Sequence, residues 1–476
     1  MASSTLSIGS AGYDLLEALD SQTPSQLSVK KSGNSTQIRA SVTGVEIDGL
    51  GFTTAQFDSQ DRTGLQRTGN STTQTNFDSS SNVNIFANVS DFNAALGGNA
   101  DTLNIFGDVS GSLIQLDNKA DATGNFNDIL NIQGDLKTGS NGNNTIYSGG
   151  GNDTIRIAGS AEDANIFLGF GNDSLVISGN ATNVDVKGDD LGAPNGNDYI
   201  EFRGDAIDTR VNAGGGGDTV IFSKGLSTDQ SDLTPDTITF SDNYVPTPST
   251  GLAAVELGSG NDSLVLGKGS YFTNATFNTG SGNDTVSIGN ATVFNNVKFQ
   301  LDGFHDTASN GSYNQSLIGG DKLTSATNSQ FTKTDFSSNN IAGDTLVFGS
   351  GNTFIGTNFY LGQGADSLVF GTGTSFSSLF DDYSTINTGL GADTIVFGSG
   401  TSFGGNTTLN LGGDDNAQDV VRFAANGFTP NALESDIRIV GASDNDILFV
   451  GTDSYMYNTS SDSWLTNSNY TISNKA

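Results

Sequence analysis

The sequence predicts an all-β chain wound as a parallel β-solenoid of about 13–15 coils. Three observations carry that expectation. An aspartate-led unit recurs along most of the chain, each unit opens a short stretch alternating with period two, and the composition is thin in apolar residues yet rich in glycine and phenylalanine. Hydrophobic residues make up 34% of the 476 positions, with 63 Gly and 30 Phe. So many large aromatics argue against disorder, and so many glycines argue for a narrow cross-section with many tight turns.

The repeat is read from the aspartates. Asp101-Thr-Leu-Asn-Ile-Phe-Gly is followed by units led by Asp128, Asp153, Asp173, Asp198, Asp218, Asp236, Asp262 and Asp284. Units led by Asp344, Asp366, Asp393, Asp419 and Asp446 complete the series. Successive gaps are 27, 25, 20, 25, 20, 18, 26 and 22 up to Asp284, then 22, 27, 26 and 27 from Asp344. Between Asp284 and Asp344, Asp321 is the one plausible rung. Gaps of this size suit one solenoid coil of two or three short strands, with the length variation falling in loops.

Within each unit the period is two. In Asp284-Thr285-Val286-Ser287-Ile288, Val286 and Ile288 point one way and Thr285 and Ser287 the other. A second strand precedes the turn, as in Asn165-Ile-Phe-Leu-Gly and Thr408-Leu-Asn-Leu-Gly, and a third lies between, as in Ser270-Tyr-Phe272 and Thr374-Ser-Phe376. The Phe of this third strand recurs once per coil and predicts a stacked column. One coil cannot bury its few apolar residues, but a neighbour ~4.8 Å away covers them and pairs the backbone.

The array is assigned to residues 96–450. Residues 1–95, rich in Ser, Thr, Asn and Gln, are read as an adapter or assembly segment, a cap or a partly disordered tail. Residues 451–476, with Tyr455, Tyr457, Trp464 and Tyr470, are read as an aromatic C-terminal cap that keeps the last coil from pairing with other chains.

The charge balance narrows function. Nineteen Lys and Arg against 52 Asp and Glu give a net charge of −33. Such a surface repels nucleic acid and anionic lipid and attracts cations. There is no Cys, which excludes disulfides and thiolate metal sites. No apolar stretch reaches membrane-spanning length, and the N-terminus lacks the basic and apolar regions of a cleaved signal.

The residues entering the turns carry the chemistry. They read Gly149-Gly-Gly151-Asn-Asp153, Gly169-Phe-Gly171-Asn-Asp173, Gly196-Asn-Asp198 and Gly214-Gly-Gly216-Gly-Asp218. Later come Gly258-Ser-Gly260-Asn-Asp262, Gly280-Ser-Gly282-Asn-Asp284, Gly362-Gln-Gly364-Ala-Asp366 and Gly389-Leu-Gly391-Ala-Asp393. Glycines at this spacing permit positive φ and turn carbonyls inward, and each Asp adds a carboxylate. Hard oxygen donors of this kind suit Ca²⁺. Stacked unpaired carboxylates repel, so either their pKa values rise or a cation from solvent sits between them. The competing reading is that the Asp side chains only cap turns through backbone amides.

These Gly-x-Gly-x-Asp-x-apolar-x units resemble the glycine- and aspartate-rich RTX repeats of secreted calcium-binding proteins, which form parallel β-rolls. The resemblance spans roughly residues 128–446. It implies Ca²⁺ held at Asp153, Asp173, Asp198, Asp218, Asp262, Asp284, Asp366 and Asp393, calcium-triggered folding outside the producing cell, and export without a cleaved signal. The chain departs from that family in having one motif per coil, which puts calcium on one edge. The turns at Asp236, Asp419 and Asp446 lack the glycines and are expected to bind none.

A β-helical polysaccharide-acting enzyme is the less favoured reading. The sole histidine, His305, reads as an ordinary loop residue beside Asp302 and Asp306. Carboxylate pairs such as Asp381-Asp382 and Asp414-Asp415 are commonplace in so acidic a chain, and Arg156, Arg203 and Arg422 sit on outward positions of predicted strands. The favoured reading is a non-enzymatic extracellular structural protein of surface-layer, sheath or adhesin type. Its expected partners are further copies, a larger surface assembly docked through the N-terminal segment, or cell-surface glycans, with no nucleic acid and no membrane insertion. A phage virion appendage (fibre, knob or tail component) stands as the alternative.

Overall fold

The computed structural model describes residues 100–465 apart from 118–125, 140–141, 190–195, 228–252, 302–319, 339–341, 379–382, 405–406, 414–416 and 425–436, together with strand segments between Leu27 and Ser90, Asn93–Ala95 and Thr471–Ser473. Asp236, His305, Asp302, Asp306, Asp381, Asp382, Asp414, Asp415 and Tyr470 lie outside the described residues. The chain divides into two compact units, Met1–Phe222 and Ser223–Ala476. Each is a parallel β-solenoid, as the alternation and the turn spacing predict.

In the second unit a coil has three strands. Ser263–Leu266 lies on one sheet, and Tyr271–Thr273 and Ala275–Asn278 lie on the other. The next coil repeats them in register: Leu264 pairs with Val286, Phe272 with Phe294 and Phe277 with Phe299, all parallel. The corner between the two strands of the second sheet is a residue in the left-handed region, Asn274 (φ 48) and Asn296 (φ 54), where a short polar side chain is tolerated best. The Asn296 amide donates to Asn274 Oδ1 at 2.8 Å, linking those corners.

The corner after the first sheet is closed from inside by a buried hydroxyl or amide. Thr292, Thr374 and Thr401 donate to the carbonyls of Gly289, Gly371 and Gly398, three residues back, at 2.9, 2.8 and 2.7 Å. Asn352 does the same to Gly349 at 3.0 Å. These donors let the chain bend without stranding a buried carbonyl.

Phenylalanine fills this unit in three columns where the sequence predicts one. Phe272, Phe294, Phe331, Phe354, Phe376 and Phe403 stack with centroids 4.9–5.2 Å apart. Phe277, Phe299, Phe336 and Phe359 form a second stack at 5.0–5.1 Å. Phe348, Phe370, Phe397 and Phe423 form a third at 4.8–5.5 Å. Rings of different columns meet edge-on, as Phe348 and Phe354 do at 89°. Stacking along the axis follows from the parallel register, and edge-to-face contact across it follows from the ring quadrupole. The third column lies on the Asp-led strand, whose last inward position in this unit runs Leu266, Ile288 and Ser325 before becoming Phe at residue 348.

The first unit has the same design with a mainly aliphatic interior, and its last two described coils stack Phe202 on Phe222 at 5.0 Å. Leu103, Leu130, Ile155, Leu175, Ile200 and Val220 are all buried in one inward row, and Ile105, Ile132, Ile157 and Ile177 in the next. The parallel ladder extends upstream through Asn82–Phe86 and Thr54–Asp58 to Ser35–Ala40, which pairs antiparallel with Leu27–Ser32. In the second unit Ile447–Val450 is followed by antiparallel partners, Asp453–Asn458 and Ser463–Leu465, over which Tyr455 and Trp464 are buried. On the outward phase Arg156 is exposed, Arg203 pairs with Glu201 at 2.9 Å, and the Arg422 guanidinium lies 3.8 Å above the Phe449 ring.

The turn glycines differ in what they demand. A Cβ at Gly282 (φ +139) or Gly391 (φ +131) would overlap the carbonyl oxygen of Gly260 or Gly364 in the coil beneath, whereas Gly373 (φ +67) has open space. Gly282→Ala and Gly391→Ala are therefore expected to cost more than ~3 kcal/mol, against ~1 kcal/mol for Gly373→Ala. Thermal melting of the three variants checks this, and equal losses would contradict it.

Candidate metal centre

The period-two phase places each repeat Asp on the inward side, in line with the apolar residues of its strand. Asp128, Leu130 and Ile132 are all buried while Ile129 and Asn131 face out. The sequence predicts aspartates along one edge of the stack, and in the structure the carboxyls at that edge lie inside the turn, at 0–3% exposure.

One interaction explains the inward position. The backbone N–H of each Asp donates to Oδ1 of the Asp in the next coil. In the first unit this links Asp101 to Asp128, Asp128 to Asp153, Asp153 to Asp173, Asp173 to Asp198 and Asp198 to Asp218, at 2.6–2.9 Å. In the second unit Asp262, Asp284, Asp321, Asp344, Asp366, Asp393 and Asp419 each donate to the next Asp, ending at Asp446, at 2.8–2.9 Å. Asp321 is thus the rung that spans the long gap. Among the described residues the ladder also runs through Asp101, Asp128, Asp321, Asp344, Asp419 and Asp446, none of which belongs to the eight proposed ligands. This hydrogen bond therefore does not depend on the glycines.

The neighbouring asparagines form a second ladder running the other way. Asn127, Asn152 and Asn172 each accept, through Oδ1, the N–H of the Asn one coil later at 2.7–2.8 Å, and Asn197 accepts from Gly217 at 2.6 Å. Each Asn-Asp pair therefore reaches forward on the exposed side and back on the buried side.

The capping bond uses only one carboxylate oxygen. The Oδ2 atoms of Asp128, Asp173 and Asp198 are buried with no hydrogen-bond partner. Burial pushes Asp128 and Asp173 up to about 9 and Asp198 up to about 8, opposed by the capping amide and reinforced by neighbouring carboxylates. Burial raises Asp218 to about 7. Burial raises Asp153 only to about 6, because the Ser148 hydroxyl joins the capping amide of Asp128 in holding its charged form.

Two further buried carboxylates, Asp117 and Asp189, stand beside this ladder and escape the repeat pattern. Asp189 pairs in register with Gly169, which pairs with Gly149, and one further step down that column is Asp117. Each therefore occupies the position of a first turn glycine. The signal was present in the second strand, Ile114-Gln-Leu-Asp117 against Ile166-Phe-Leu-Gly169, but it emerges only when coils are aligned on that strand rather than on the Asp.

These residues fit a hard cation. Orphaned carboxylate oxygens face a turn whose carbonyls point along the stack: a Cβ at Gly171 would overlap the Gly151 carbonyl oxygen, and one at Gly216 that of Gly196. Among the described residues no three carboxylates or imidazoles converge on one point. A cation here would take carboxylate and backbone carbonyl oxygens together, a donor set natural to Ca²⁺ and poor for Zn²⁺.

No family model and no curated protein matches the chain. Among solved structures it is similar to a hyperactive, Ca2+-dependent, beta-helical antifreeze protein from an Antarctic bacterium, at 19% identity and a TM-score of 0.47, covering 77% of this chain and 89% of that one.

The raised carboxyls set a pH dependence. Folded Asp128, Asp173, Asp198 and Asp218 keep protons that the unfolded chain releases near 3.8. The folded state then binds more protons from about pH 4 to pH 9, and stability falls as pH rises through that window. In chelator the first unit is expected to melt on the order of 10 °C lower at pH 8 than at pH 5. A transition that moves upward over the same interval would contradict the assignment.

Proposed function

We propose that the chain is a non-enzymatic, calcium-binding structural scaffold of surface-layer, sheath or adhesin type, working outside the producing cell. The observation that carries this reading is the stack of inward Asp carboxyls, whose second oxygens at Asp128, Asp173 and Asp198 are buried without a hydrogen bond. In a chain with 19 Lys and Arg against 52 Asp and Glu, the compensating charge comes from solvent. Extracellular calcium, held at the Gly-x-Gly-x-Asp turns, would neutralise the stack and stiffen it.

Repetition supports a scaffold over a catalyst. The same Asp–amide bond recurs coil after coil in both units. A catalytic centre instead needs groups whose environments push their pKa values apart at one place. The ligands proposed are Asp153, Asp173, Asp198 and Asp218 in the first unit, and Asp262, Asp284, Asp366 and Asp393 in the second.

Adding calcium at pH 7.5 is expected to raise the melting temperature by on the order of 10 °C, reversed by chelator. A midpoint indifferent to calcium would defeat the reading. The double change Asp173→Asn and Asp198→Asn keeps an oxygen for each capping amide while removing charge. Equilibrium dialysis should show fewer ions bound, and unchanged stoichiometry would leave these side chains as caps alone.

A further inference from the structure

We propose that Asp117 and Asp189 are additional cation ligands, creating two calcium positions in the first unit that are stronger than those at turns with one aspartate. This rests on the calcium reading above and singles out which turns bind first.

The two residues do the same job in two places. Asp117 and Asp189 are 3% and 6% exposed. Each projects over a glycine of the following coil. A Cβ at Gly149 would overlap that of Asp117, and a Cβ at Gly214 would lie 2.7 Å from that of Asp189 and 2.8 Å from its Oδ2. The following coil thus leaves space for the extra side chain. Each also accepts a backbone amide of that coil: Gly150 donates to Asp117 Oδ2 at 3.3 Å, and Gly215 to Asp189 Oδ2 at 2.9 Å. Asp189 is further oriented by the Gly196 amide, 3.1 Å from Oδ1.

What each aspartate faces points to a ligand. On top of burial, like-charge repulsion from Asp117 raises the carboxyl of Asp128, and that from Asp189 raises those of Asp173, Asp198 and Asp218. Asp128 and Asp198, like Asp173, each have an Oδ2 that is buried with no hydrogen-bond partner. At the second place a Cβ on Gly188 would overlap both Asp198 Oδ2 and the Ala213 carbonyl oxygen, so a carboxylate oxygen and a carbonyl oxygen crowd one spot. Two like charges brought together beside an unsatisfied buried oxygen are costly for the metal-free chain. A divalent ion reverses the sign of that interaction. Two carboxylates with carbonyl oxygens suit Ca²⁺, whereas Mg²⁺ demands a tighter octahedron and retains its water.

The test is calcium titration of the full chain by calorimetry at pH 7.5, with magnesium present as a competitor. Wild-type protein should show a tight class of two ions, unmoved by millimolar magnesium, above a weaker class. Asp189→Gly installs the residue other coils carry at this register, and it should remove one tight ion. Asp117→Gly should remove the other. Asp189→Asn retains an acceptor for the Gly196 and Gly215 amides, so its circular dichroism should match wild type while its tight calcium affinity drops at least tenfold. Tight binding that survives all three substitutions overturns this proposal and leaves the general calcium reading standing. A wild-type chain that binds no calcium overturns both.

Discussion

The hydrogen bond from one aspartate's amide to the next aspartate's Oδ1 fixes the register of each coil on its neighbour. Parallel strands of three or four residues define register weakly on their own, since sliding one costs little beyond the ladder ends. At the turn, however, a one-residue slip would swing a buried carboxylate to the surface and strand an amide inside. The aspartate therefore acts as a pin at one corner of the coils from Asp101 to Asp218 and from Asp262 to Asp446. The asparagine ladder beside it pins the outer side, and the opposite directions of the two ladders resist displacement either way. Chain-length variation accordingly collects between pinned corners, as between Asp117 and Asp128 or Asp189 and Asp198.

That pin carries an electrostatic cost, which makes stability depend on what neutralises the stack. Each capping bond brings a carboxylate out of water and sets it about one strand spacing from the next. With one oxygen of Asp128, Asp173 or Asp198 committed to an amide and the other buried without a hydrogen bond, the stack holds either protons or metal. The capping and metal readings therefore do not compete for the same atoms: Oδ1 serves the fold and Oδ2 is the group a cation would satisfy.

The interior follows the same axial logic with different material in the two units. Like residues stack on like because parallel, in-register strands bring the same position of successive coils together. In the first unit the stacked rows are mainly Ile, Leu and Val, with Phe202 on Phe222 at the end of one row; in the second, three files of Phe interlock edge-to-face. Rings of one kind serve a file well, since each meets its neighbour in an offset stack that a mixed file would interrupt.

The sequence by itself determined the strand period, the three strands per coil, the turn chemistry and the rung at Asp321. Each of these is local: alternation, glycine spacing and the Asp-led units need only a few consecutive residues to be visible. It also determined which aspartates recur, but not what their two oxygens do. That role depends on the amide of another coil, 20 to 37 residues away. The second and third Phe columns, the oppositely directed asparagine ladder, and the place of Asp117 and Asp189 at glycine positions were decided only by tertiary structure. The physical reason is common to all of them. They are contacts along the stacking axis, between residues whose separation in sequence varies with every loop, and only the folded register brings them face to face.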